Sequence, residues 1–299
     1  MGTDHPFDLA TALEPNGEDG WIARTSDAYW NMVGPFGGLV GALLFKSAYA
    51  HPKRKGEPLA LTVNFCAAIA KGEMMIEARP ARTNRSTQHW TMTMLQGGEC
   101  VATATAMFGK RPETFAYRPT RSPSAPAFET LPRMPWPGSG WIERFDLRFA
   151  EGQPFWADKL EEPARARSTL WIAADPPRAM DFVGLAALTD IFFGRIIHVR
   201  QQMVPFGTVS LTSYFHATEA DVAALGSAPV LGTADARIFE RGYHDQSAEL
   251  WSGDGRLLAT SHQLVYYRDP AYSGDVLHFF LQQPLHKGRN RIISAPSKK

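Results

Sequence analysis

The 299-residue chain contains only two cysteines, Cys66 and Cys100, and they form no CxxC pair. Both lie in apolar, strand-like runs with no cationic neighbour to lower a thiol pKa. They therefore read as buried, inert thiols, ahead of the alternative of a nucleophile. No run of eighteen apolar residues occurs, which leaves no candidate for a membrane-spanning helix. The opening Met1-Gly2-Thr3-Asp4-His5-Pro6 has neither a basic n-region nor an apolar h-region, so no signal peptide is expected. Charge of one sign is also missing. A formal net charge of +1 argues against a general nucleic-acid binder and points to no acidic partner. GxGxxG, Walker and GxSxG signatures are absent. The nine histidines show no HExxH or HxH spacing, and His216, His244 and His262 read as surface or sheet residues rather than ligands. The absences together suit a soluble protein of a reducing, cytoplasmic compartment, with no metal, bound cofactor, nucleic acid or membrane as partner.

What is present is organised around Gly34-Pro35-Phe36-Gly37-Gly38-Leu39-Val40-Gly41-Ala42-Leu43-Leu44-Phe45. A glycine–proline turn leads into a helix with almost no polar face, which belongs inside something. At 1.5 Å per residue it is only about 20 Å long, far too short for a bilayer. Period-two alternation then predicts strands at 59–65, 72–82, 86–95 and 100–108, the last two joined by Gly97-Gly98. One helix followed by an antiparallel meander is an α+β unit. Prolines crowd residues 113–139, an extended linker between an N-terminal domain (1–112) and a C-terminal one (140–271). In the second domain, strands are expected at 141–149, 170–173, 209–215, 231–238, 246–251 and 257–267, with an apolar helix from Phe182 to Ile197. Residues 272–299 read as a basic, disordered tail.

The second domain echoes the first. Leu61-Thr62-Val63-Asn64-Phe65 returns as Leu211-Thr212-Ser213-Tyr214-Phe215, and Phe36-Gly37-Gly38-Leu39 as Phe182-Val183-Gly184-Leu185. Gly97-Gly98-Glu99-Cys100-Val101-Ala102-Thr103 returns as Gly253-Asp254-Gly255-Arg256-Leu257-Leu258-Ala259-Thr260. Three echoes in one order indicate an internal duplication. Aligned on them, Leu44 falls on Asp190, Pro58 on Thr208 and Ala106 on Gln263. Each apolar residue of the first copy is polar in the second, so one site per chain, built mainly from the second copy, is expected.

Asp190 is flanked by Leu185-Ala186-Ala187-Leu188 and Ile191-Phe192-Phe193. Desolvation there would raise its pKa and suit a general base; alternatively Thr189-Asp190 caps a helix starting at Ile191. The Gln263 amide can donate to and accept from one water, or it can be a solvent-facing edge-strand side chain. Thr208 heads its strand and offers a hydroxyl, but Ser210 and Thr212 share its parity. Backbone N–H groups at Gly37-Gly38 suit a developing oxyanion or a phosphate, or the glycines serve close packing of helix on sheet.

Gly34-Pro35-Phe36-Gly37-Gly38, the strand 59–65 and Gln96-Gly97-Gly98-Glu99-Cys100-Val101-Ala102-Thr103 resemble the first half of double-hotdog acyl-CoA thioesterases of the type II class. Thr189-Asp190, the strand 208–216 and Asp254-Gly255-Arg256-Leu257-Leu258-Ala259-Thr260-Ser261-His262-Gln263 are similar to the second half. Tyr214 stands where that family often has Trp, and the spacing from Asp190 to Thr208 is shorter than usual. The resemblance implies a double hotdog: two helix-in-sheet units sharing one continuous sheet. It implies hydrolysis of a fatty or related acyl-CoA, a place in lipid metabolism and a homo-oligomer. Asp190, Thr208 and Gln263 would orient the hydrolytic water and Gly37-Gly38 would polarise the thioester. Phe192, Phe193 and Met203 would line the acyl channel. The rivals are a hotdog hydratase or dehydratase, which usually wants an Asp–His pair, and a non-catalytic acyl-CoA-binding protein.

Overall fold

The computed structural model describes residues 5–136, 138–153, 156 and 164–268. The stretch 272–299, expected as a disordered tail, lies outside them. In the first half β1 (Gly20–Arg24) precedes helix α1 (Gly37–Tyr49), followed by β2 (Glu57–Phe65), β3 (Glu73–Thr83), β4 (Thr87–Gln96) and β5 (Glu99–Gly109). The second half has β6 (Phe145–Glu151), β7 (Ser168–Ala174), helices α2 (Phe182–Leu188) and α3 (Arg195–Arg200), then β8 (Phe206–Phe215), β9 (Val230–Asp235), β10 (Tyr243–Trp251) and β11 (Leu257–Tyr267). With two-residue strands at Glu14–Pro15 and Phe239–Glu240 they form one antiparallel sheet of thirteen strands. From β1 its order is β1-β3-β4-β5-β2-β8-β11-β10-β9-β7-β6. This is the double hotdog: α1 and α2 pack on each other inside the wrapped sheet.

The two halves meet between β2 and β8, where Thr62 faces Thr212. Their hydroxyls hydrogen-bond at 3.1 Å. Leu61 faces Ser213 and Leu211 faces Val63, so the seam is self-complementary, as an approximate two-fold axis through the threonines requires. The neighbouring strands repeat the relation. Leu61 pairs with Ala106, and Leu211 pairs with Gln263. Pro58 pairs with Phe108, and Thr208 pairs with Val265. Even the irregularity is duplicated: Leu59 in β2 and Val209 in β8 are the extra residues of matching bulges.

Helix α1 is apolar on every face because it is buried on every face: Leu39, Leu43, Leu44 and Phe45 are all enclosed. Its one long polar side chain, Lys46, is half-buried and donates from Nζ to the Thr11 carbonyl at 2.8 Å.

Four sequence expectations need correction. Trp141–Arg144 forms a 3₁₀ turn rather than the start of a strand, and Trp141 packs its ring flat on Phe36. The helix expected over 182–197 is broken into α2 and α3. Asp190 and Ile191 close α2 with i→i−3 bonds to the carbonyls of Ala187 and Leu188, and Gly194 caps α3. The intervening Ile191, Phe192 and Phe193 are buried, so an apolar run conceals the break. Asp190 therefore caps no helix beginning at Ile191. Finally, Cys66 and Cys100 are exposed rather than buried. Cys66 follows the end of β2 and Cys100 sits beside the Gly97-Gly98 hairpin, whereas Val101 and Ala102 next to it are enclosed.

Candidate active site

The break after α2 turns the Asp190 side chain toward the start of α1 and the inner face of β11. Three interactions with the sheet hold it there. The Ser213 hydroxyl donates to Thr189 Oγ1 at 2.8 Å, and the Ser261 hydroxyl donates to the Thr189 carbonyl at 3.0 Å. Gln263, two residues beyond Ser261 and so on the same face of β11, donates from Nε2 to Asp190 Oδ1 at 3.0 Å. The Gln263 carbonyl oxygen accepts from Thr208 Oγ1 at 3.1 Å. Asp190, Gln263 and Thr208 are thus one hydrogen-bonded chain.

The bulge at Val209 decides which hydroxyl joins it. Ser210 faces Leu264, whose side chain is exposed, while Thr208 faces Val265, which is buried. Thr212 meets Thr62 at the seam. Shared parity with Thr208 does not survive the bulge: of the three hydroxyls, only that of Thr208 reaches Gln263.

The glycine pair meets Asp190 from the other half of the molecule. A Cβ on Gly37 would stand 2.5 Å from Asp190 Oδ2, and one on Gly38 would collide with the Ala187 carbonyl and the Phe36 ring. Close approach therefore demands glycine at both positions, against α2 and the carboxylate rather than against the sheet alone. The Gly38 N–H donates to the Asp190 carboxylate. Burial pushes the Asp190 pKa up to about 7, and the bonds from Gln263 and Gly38 oppose that rise without cancelling it. No histidine enters these hydrogen bonds. Among the described residues, no group of three His, Cys, Asp or Glu side chains is placed to hold a metal.

Asp190 and Thr208 open onto a cavity of about 640 Å³. Gly37, Phe192, Phe193 and Met203 line it, as do Trp30, Val40 and Phe206. Phe192 lies over Gly232, where a Cβ would stand 2.7 Å from its ring. Gln263 is 6% exposed and stands behind Thr208 rather than in the cavity wall.

Sequence reasoning missed Ser213, Ser261 and Arg195. The serines carry the same signal that isolated Gln263, since by the register Val63 and Ala104 occupy their places in the first half. Arg195 is 1% exposed. Its guanidinium donates to the Phe193 carbonyl, to Ser168 Oγ at 2.6 Å, to the Ala166 carbonyl at 3.2 Å and to Gln246 Oε1 at 3.2 Å. It pins the end of the helix break to β7 and β10.

Comparison with known proteins follows the same division into halves. A family model for the N-terminal domain of acyl-CoA thioesterases matches residues 26–109, and one for their C-terminal domain matches 119–267. A conserved protein of unknown function with a hot dog fold from Alicyclobacillus acidocaldarius is similar at 43% identity and TM-score 0.85, over 90% of this chain and 100% of that one. A candidate thioesterase II from Thermobifida fusca is similar at 20% identity and TM-score 0.77, over 90% and 100%. An acyl-CoA thioesterase II from Mycobacterium marinum is similar at 17% identity and TM-score 0.70, over 89% and 99%. At those last two identities the likeness is one of fold. A search of curated proteins returned no match.

Proposed function

Because the chain belongs to the acyl-CoA thioesterase family, whose members are thioester hydrolases, we propose that it cleaves an acyl-CoA with Asp190 as general base. The observation that carries this reading is the hydrogen-bonded chain Thr208–Gln263–Asp190 at the cavity wall, with a carboxyl whose pKa lies near 7. A water between the Asp190 carboxylate and the Thr208 hydroxyl would give its proton to Asp190 as its oxygen attacks the thioester carbonyl carbon. The C–S bond then breaks, and Asp190 returns the proton to the departing thiolate. The products are the free acid and the CoA thiol.

Gln263 does not touch the water in this scheme. Its amide sets which carboxylate oxygen is turned away from the cavity and holds the Thr208 hydroxyl in place. Since the Gly38 N–H is given to Asp190, polarisation of the thioester carbonyl falls to the N–H of Gly37. The acyl group enters the apolar cavity past Phe192, Phe193 and Met203.

The test is release of free thiol from a panel of acyl-CoAs by wild type, Asp190→Asn and Gln263→Ala. Cleavage by wild type and its loss in Asp190→Asn is the expected result. If wild type cleaves none while binding persists unchanged in Asp190→Asn, the protein binds acyl-CoA without turning it over.

A further inference from the structure

Aromatic residues make up 11% of the whole chain, yet one cavity wall is built of rings that touch in succession. Phe36 stacks on Trp141 with centroids 4.4 Å apart and planes 7° from parallel. Trp141 lies 5.9 Å from Phe193, and Phe193 meets Trp156 edge-on at 5.1 Å. Trp156 meets Trp136 at 5.6 Å with planes 67° apart. All five line the cavity, and the run ends at Phe36, one residue before the Gly37 that abuts Asp190.

Such a wall suits one kind of guest better than another. A linear alkyl chain samples many conformers and is best met by unbranched, adaptable side chains such as Met. Mutually packed rings instead hold faces and edges at set angles, which reward a further ring placed edge-on or offset-stacked. Three tryptophans in the wall add area without adding flexibility. The cavity, about 640 Å³, has room for a ring and a short spacer together with the end of the pantetheine arm.

We infer that the acyl group carries an aromatic ring within a few bonds of the thioester, of the arylacetyl or arylpropanoyl class. This rests on the thioesterase reading and narrows its substrate. The test compares kcat/KM for phenylacetyl-CoA and 3-phenylpropanoyl-CoA with hexanoyl-CoA and octanoyl-CoA. Binding of the same four compounds to Asp190→Asn is followed by quenching of tryptophan fluorescence. A preference of about tenfold for the ring-bearing pair is expected in both measurements, and Phe193→Leu should collapse that ratio to about twofold or less. A preference for the linear pair, or a ratio unmoved in Phe193→Leu, overturns the inference. If no compound releases thiol but the binding preference holds, the hydrolase reading falls and the assignment of the ring pocket stands. Equal binding of all four overturns the ring pocket alone.

Discussion

Gln263 donates from Nε2 to Asp190 Oδ1 at 3.0 Å, and this bond fixes which way the amide points. Its nitrogen must face the carboxylate and its oxygen the Thr208 hydroxyl, so exchanging the amide for an acid reverses the electrostatics of the site. Gln263→Glu would set two carboxyls against each other and drive the pKa of Asp190 above its present value of about 7. The midpoint of the pH–rate profile should move up by roughly one unit or more, with most activity at pH 7 lost. Initial rates of thiol release from pH 5 to 10 measure it.

Asp190→Asn removes the proposed base while keeping the shape of the side chain. A drop in kcat of roughly 10²- to 10⁴-fold with a much smaller change in KM is expected. In wild type, the rate should rise with pH through about 7, as the carboxyl ionises.

The same carboxyl links stability to pH, with the opposite sign. Its folded pKa, about 7, lies above the ordinary 3.8, so the folded state holds the proton more tightly. That contribution is complete below pH 4 and is lost as pH climbs through 7. Asp190→Asn, neutral at every pH, should therefore gain stability relative to wild type between pH 5 and pH 8, by roughly 2–3 kcal/mol. Urea denaturation at the two pH values checks the direction.

The bulge at Val209 separates two hydroxyls that the strand pattern treats alike. Thr208→Val should lower kcat roughly tenfold or more, because Gln263 loses a donor and the cavity loses a hydroxyl. Ser210→Ala, on the outer face opposite Leu264, should keep the wild-type rate. Side-by-side kinetics of the two variants measure the difference.

Arg195→Met leaves the Phe193 carbonyl, Ser168 and Gln246 short of a donor in the interior. A loss of roughly 2–4 kcal/mol is expected, seen as a lowered thermal midpoint. Activity should fall as well, since the backbone it holds carries Phe192 and Phe193 in the cavity wall.

Much of this arrangement was legible in one sequence because the chain contains its own reference copy. Pro58 and Ala106 occupy in the first half the register positions that Thr208 and Gln263 occupy in the second, and that contrast singles out polar residues that composition alone does not. The rest was hidden for physical reasons. The helix break at Thr189–Gly194 lies in a run as apolar as the helices it separates, so hydrophobic pattern has nothing to mark it. The bulge adds one residue without changing composition, which left Ser210 and Thr212 level with Thr208. Cys66 and Cys100 have strand-like neighbours, but they stand where strands end, and exposure there depends on how far the partner elements extend. Arg195 gave no signal, because its value lies in groups brought to it from two distant segments, Ala166–Ser168 and Gln246, besides the nearby Phe193 carbonyl.

The Gly38 N–H comes from one repeat and the Asp190 carboxylate from the other, with the Thr62–Thr212 contact nearby on the shared seam. Chemistry is thus tied to the docking of the repeats rather than to the integrity of either one. A slight parting there would separate donor from acid while every strand stayed paired within its own half. On warming, catalytic rate should therefore vanish some degrees before the far-ultraviolet signal of the sheet begins to fade.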